Sequence, residues 1–160
     1  MVKIISHRGH RVGFQKGYEL FANLPEYIDV AIGMDDLVEV DIRYKNNDFY
    51  LGHDEPTHKI TFDWIRDRKK HLLLHCKDLQ SAYRLCNLNE KLNYFTHQND
   101  DFALISNGLI WVHNLNLKLN AKCIIPLINK IDIERFELRD NIWGICTDYV
   151  MLAKEKFGPK

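Results

Sequence analysis

The chain has 160 residues, 46% of them hydrophobic, the length of one ordinary domain with a real core and short for a large enzyme fold. Its 22 basic and 22 acidic residues cancel, so it lacks the positive field of a nucleic-acid or anionic-membrane binder, and any anion must be gripped locally. MVKIISHRG lacks the apolar stretch of a signal peptide, no run reaches membrane-spanning length, and Cys76, Cys86, Cys123 and Cys146 are scattered without CxxC spacing, so a cytosolic protein with reduced thiols and no membrane span is expected.

No repeat, low-complexity tract or linker divides the sequence, and residues 1 to 160 read as a single domain. Val2 to Ser6 reads as a strand. A helix follows with Tyr27, Ile28, Ala31 and Ile32 on one face, Asn23 and Pro25 as start signals and Gly33 as a stop. Leu37 to Tyr44 is the next strand, and Asn46-Asn47, between IRY and FYLG, marks a hairpin. HLLLHCK, from His71 to Lys77, is a further strand. Asp78 is placed to cap a helix whose face carries Leu79, Ala82, Tyr83 and Cys86. NYFTHQ, GLIWVHN, KCIIPLI and IWGICTDY supply four more strands, and Val150 to Phe157 a final helix. Strands alternating with helices predict a mostly parallel, helix-covered sheet, and about seven strands suit a shortened or incomplete α/β barrel.

The reactive side chains gather at strand ends. The period-2 rule puts Val38, Val40, Ile42 and Tyr44 on one face of the second strand and Leu37, Glu39, Asp41 and Arg43 on the other. It likewise puts Leu73, His75 and Lys77 on one face of the next long strand and Leu72, Leu74 and Cys76 on the other. Two carboxylates two apart on a strand lie about 6.5 to 7 Å apart at Cα, so both can reach one ion. A hard divalent cation, Mg²⁺ or Ca²⁺, would relieve their repulsion. Taken alone, the pair also fits a solvated sheet face.

His7-Arg8-Gly9 suits acid–base work on a phosphate: imidazole titrates near neutrality, guanidinium grips phosphate oxygens as a fork, and glycine lets the backbone approach closely. His53-Asp54 supplies a second imidazole with a carboxylate beside it. A two-residue loop at Asn46-Asn47 sets His53 opposite Val40 and a three-residue loop sets it opposite Asp41, and only the latter puts it on the Glu39/Asp41 face. His97 and Gln98 end a strand as pocket candidates, and Trp111 with His113 reads mainly as core. Thr147-Asp148 either reaches the site or caps the last helix. His10, His58 and His71 read as loop or surface residues.

His7-Arg8-Gly9, Glu39-x-Asp41, His53-Asp54 and then Lys77 resemble, in order and spacing, the HRG, ExD, HD and lysine motifs of the glycerophosphodiester phosphodiesterase family, and WGICTDY is similar to its last strand. The resemblance implies a TIM-type barrel and metal-dependent cleavage of a small phosphodiester substrate. It makes His7 and His53 the acid–base pair, Arg8 and Lys77 the phosphate ligands, and Glu39 and Asp41 the cation ligands. One imidazole would deprotonate the attacking hydroxyl while the other protonates the leaving alkoxide.

The chain departs from the family at three points. His75 stands where the family carries a glutamate ligand, and is taken here as the third metal residue. The family's Pro-Glu-Asn segment has no in-register counterpart; its nearest equivalents are Glu19, a substrate-binding candidate, and Asn23. The chain is also about two thirds of the usual barrel length, which predicts a more open site. The alternative from another class is a non-catalytic module that keeps the phosphate pocket without turnover. The sequence carries no expectation about oligomeric state.

Overall fold

In the computed structural model of the chain, residues 1–13, 17–34, 36–138 and 141–158 are described, the side chains of Tyr18 and Glu19 excepted. The Glu19 candidate therefore lies outside the described side chains.

Strand β1 (Lys3–His7) leads through a 3-10 turn (Tyr18–Phe21) into helix α1 (Pro25–Gly33), and β2 (Leu37–Lys45) follows. The antiparallel strands β3 (Asp48–Leu51) and β4 (His58–Ile60) come next, then α2 (Phe62–Arg68), β5 (Leu72–Cys76), α3 (Leu79–Cys86) and β6 (Tyr94–Phe95). The chain continues with β7 (Phe102–Leu104), β8 (Ile110–Val112), β9 (Cys123–Pro126), α4 (Lys130–Arg135), β10 (Gly144–Thr147) and α5 (Val150–Phe157). Strands β6, β5, β2, β1, β10, β9 and β8 lie side by side and parallel, β7 adds antiparallel to β8, and β3 with β4 branches from β2.

The expected shortened TIM-type barrel of about seven strands is thus corrected to a curled, mixed half-barrel sheet of ten strands with five short helices among the described residues. The alternation of strand and helix holds at β1-α1-β2, β5-α3-β6 and β9-α4-β10, but no helix lies between β6 and β9. That stretch is rich in Asn, lacks helical periodicity, and turns back on itself at Gly108 to make the β7–β8 hairpin. Nor does the ladder close. β6 pairs only with β5 and β7 only with β8, and the two ends meet through Ser106, whose backbone N–H donates to the Tyr94 carbonyl at 2.9 Å, and through the Phe95–Trp111 ring stack.

The period-2 readings of β2 and β5 are realised, and they divide the core. Val38, Val40, Ile42, Leu72, Leu74 and Cys76 form the outer layer with Ile28 and Ala31 of α1 and Leu85 of α3. Ile5, Leu73, Phe95, Trp111, Ile124 and Cys146 fill the inside of the curl. A third cluster packs β9, β10, α4 and α5 around Ile125, Ile133 and Ile145. Asp78 caps α3 as expected, accepting from Ser81 N at 2.6 Å. The buried face of α3 is Ser81 and Leu85, however, whereas Leu79 and Tyr83 are exposed, because the sheet lies against the other side of the helix.

The hairpin takes the two-residue loop. Asn46 and Asn47 both have positive φ, 51° and 65°, the primed turn that matches strand twist, and Lys45 pairs with Asp48. Buried Asp36 ties α5 to the start of β2: its carboxylate meets Arg11 Nε at 2.6 Å and Lys154 Nζ at 2.5 Å.

Candidate functional site

Above the apolar layer inside the curl, the parallel strands end in polar residues. Register aligns His7 with Glu39 and, two residues further along, Asp41 with His75, so three adjacent strands deliver their reactive groups to two successive levels at the same end of the sheet. Glu39, Asp41 and His75 are all buried, at 1%, 0% and 6% exposure, which removes the solvated-face reading of the Glu-x-Asp pair. One ligand atom from each lies within 4.8 Å of the others. His75 Nδ1 faces both carboxylates, 3.4 Å from Glu39 Oε1 and 3.3 Å from Asp41 Oδ1. Glu39 Oε2 and Asp41 Oδ1 have no hydrogen bond. Buried oxygens left unsatisfied are costly unless a cation or a proton donor takes them.

Asp41 is held from several sides. Asn23 grips it twice, its Nδ2 donating to Oδ2 at 2.9 Å and its Oδ1 accepting from the Asp41 backbone N–H at 2.9 Å. Arg8 Nε lies 2.7 Å from Oδ2, and Lys77 Nζ 3.8 Å from Oδ1. Burial would raise this carboxyl, but His75, Arg8 and Asn23 hold it far below the usual carboxylate range. Burial likewise opposes charge on His75, yet its contacts with Asp41 and Glu39 keep its pKa above the ordinary imidazole value.

His7 stands at the end of β1 with Nδ1 2.7 Å from Asp148 Oδ1 and Nε2 3.9 Å from Glu39 Oε2. Asp148 therefore orients the ring and leaves Nε2 for chemistry. His7, Arg8 and His53 line one cleft of about 650 Å³, together with Asn23, Asp148 and His10. His53 reaches it despite the two-residue loop, because the strand geometry ends at Gly52. A Cβ on Gly52 would sit 2.1 Å from the Glu55 carbonyl, and φ there is +148°. Arg43 ties the turn to β2, donating to the carbonyls of Gly52 and His53, and His53 Nδ1 contacts Asp54 Oδ1 at 2.7 Å. The positive φ of Arg8, 54°, and of Gly9, 88°, lets the chain fold back over the strand end, where Arg8 N–H donates to the Glu39 carbonyl.

Two site residues carried other readings in the sequence. Asn23 is not the cap of α1, since Leu24 occupies that position and Pro25 begins the helix; its amide serves Asp41 instead. Asp148 serves His7 and does not cap α5. A Thr-Asp at a strand end and an Asn near a helix start look like capping signals, and only tertiary contact separates the roles. His10, expected in a loop or at the surface, is buried and lines the cleft. His97 stacks on His75 with ring centroids 4.5 Å apart, and burial, His75 and His113 push its pKa down to about 4. Trp111 is core, and its Nε1 donates to His113 Nε2 at 2.9 Å. Gln98 is exposed.

No protein-family model matches the chain, and no match is found among curated proteins or solved structures. No helix among the described residues is long and apolar enough to cross a membrane.

Proposed function

We propose that this chain hydrolyses a small phosphodiester with the help of a divalent cation, His7 and His53 acting as its acid–base pair. The observation that carries the reading is the convergence of His7, Arg8 and His53 on one cleft, beside a buried carboxylate cluster with unsatisfied oxygens. The two carboxylates fit a hard divalent ion, Mg²⁺ or Ca²⁺, whereas the imidazole is a ligand that such ions take poorly and transition metals take well; Glu39 and Asp41 are the residues that would hold the ion, with His75 beside them as the third group. Such an ion supplies Lewis-acid stabilisation of charge on phosphate oxygens.

The chain's own residues account for the rest. Arg8 and Lys77 carry positive charge next to Asp41, where a phosphate oxygen can take their remaining donors. His7, oriented by Asp148, is the better general base, because the carboxylate on Nδ1 stabilises the imidazolium that forms when Nε2 takes a proton. His53, in the turn after β3 and beside Asp54, lines the same cleft and is then the acid that protonates the leaving alkoxide. Water and a neighbouring substrate hydroxyl both suit His7 as nucleophile, and the product, open monoester or cyclic phosphate, reports which is used.

A second reading is supported by His75 itself. A protonated imidazole 3.3 to 3.4 Å from both carboxylates offsets one of their two charges as an internal cation, which suits a phosphate-binding module without turnover. Turnover of simple glycerophosphodiesters with Mg²⁺, Ca²⁺ or chelator, in wild type, His7→Ala and His53→Ala, tests the two. Cation-dependent turnover lost in both variants supports the hydrolase. No turnover, with glycerol phosphate binding that persists in chelator and is lost in Arg8→Ala, supports the binding module.

A further inference from the structure

The N-terminal end of the same sheet, away from the cleft, carries a second depression of about 280 Å³. Its floor is apolar, the buried Ile5, Leu73 and Ile124 from the layer inside the curl, and the half-buried Leu37, Leu109 and Trp143 form its walls. Lys3, Lys70 and His71 stand around it, and among the described residues no aspartate or glutamate lines it. A neighbouring depression shares Lys3, Lys70 and His71 and also has no acidic lining residue.

In a chain whose charges cancel, this concentration of cations is local, and most nearby basic groups are already paired. Lys69 meets Glu90 at 2.6 Å, while Arg11 and Lys154 share Asp36. Lys3 and Lys70 have no carboxylate partner among the described residues. His71 Nδ1 has only the Asp36 carbonyl, at 3.4 Å. Unpaired cations above an apolar floor select their ligand by exclusion. An inorganic anion would leave the half-buried Leu37, Leu109 and Trp143 wet, and a neutral hydrocarbon would leave the lysines without a counter-charge. A volume of about 280 Å³ lies at the small end of ligand pockets, which favours one short chain or one ring system.

We propose that this depression binds an amphiphilic monocarboxylate, an alkyl or aryl acid, with Lys3 and Lys70 at its carboxylate and Leu37, Leu109 and Trp143 around its hydrocarbon. The site is separate from the phosphodiesterase reading and needs neither cation nor catalytic histidine.

Decanoate titrated into the full chain in chelator, followed by tryptophan fluorescence and calorimetry, tests it. Saturable one-to-one binding is expected, with 1-decanol and butyrate each clearly weaker. Charge reversal in the double variant Lys3→Glu/Lys70→Glu should weaken decanoate about tenfold or more, with unchanged circular dichroism, since both lysines are exposed. Trp143→Phe should remove the fluorescence change and leave calorimetric binding in place. Equal binding of 1-decanol, undiminished affinity in the double variant, a fluorescence change that survives Trp143→Phe, or no saturable binding would each overturn the proposal.

Discussion

Replacing Asn23 with alanine tests how the candidate site is held. The side chain supplies two buried hydrogen bonds to Asp41, each 2.9 Å long, and its own backbone sits at φ 61°. Losing the bond to the charged Oδ2 costs about 1.5–3 kcal/mol and the bond from the backbone N–H about 1 kcal/mol. Alanine in the left-handed region adds about 1 kcal/mol of strain. Asn23 lines the cleft, so water will replace part of the lost bonding. The expected net loss is about 3 kcal/mol, a fall in Tm of roughly 6–12 °C for a chain of this size. Asn23→Gly removes the strain but not the lost bonds and should recover about 1 kcal/mol of the loss. Urea and thermal unfolding followed by circular dichroism measure both, and Mn²⁺ titration should show weaker binding in both variants. An Asn23→Ala loss below about 1 kcal/mol with unchanged Mn²⁺ affinity would refute the view that Asn23 sets Asp41 in place.

Asp148→Asn keeps the shape beside His7 but removes the charge that orients and supports its imidazolium. Turnover under the phosphodiesterase reading should fall at least about a hundredfold with KM little changed, and an unchanged rate would release Asp148 from that role. Asp36→Ala strands Arg11 and the half-exposed Lys154 and should cost about 3 kcal/mol in urea unfolding without altering diester turnover. In chelator, two opposed pH effects are expected. Asp41, whose pKa is lowered by folding, stabilises the fold above about pH 4, and that contribution is lost as pH falls toward its folded value. His75, whose pKa is raised, stabilises it below about pH 6.5, and that contribution is lost as pH rises through its folded value. Unfolding free energies of wild type and His75→Gln across pH 3 to 9 check this, because only wild type should lose the histidine contribution on the alkaline side.

Local rules carried far where each residue's partners lie on its own strand or its neighbour. Alternation in β2 and β5 was enough to sort Val38, Val40 and Ile42 from Glu39 and Asp41, and Leu72, Leu74 and Cys76 from Leu73 and His75, because the pleat sends successive side chains to opposite faces. Asp78 before α3 and Asn46-Asn47 in the hairpin were readable for the same reason: a cap and a tight turn are satisfied within a few residues. The segments β4 and β7, three residues each, left no such trace, being too short to show a period, and α2 and α4, of seven and six residues, each span less than two helical turns.

By itself, then, the sequence determined which strand carries Glu39, Asp41 and His75 and which face each takes, since these follow from backbone geometry one element at a time. Only the tertiary structure decided that the sheet curls without closing, that Asn23 turns from its helix to Asp41, and that Asp148 meets His7 across 141 positions of chain. Those outcomes depend on which distant groups satisfy a buried donor or carboxylate. That is a property of the packed interior, where an unpaired polar group is costly, and no local pattern along the chain encodes it.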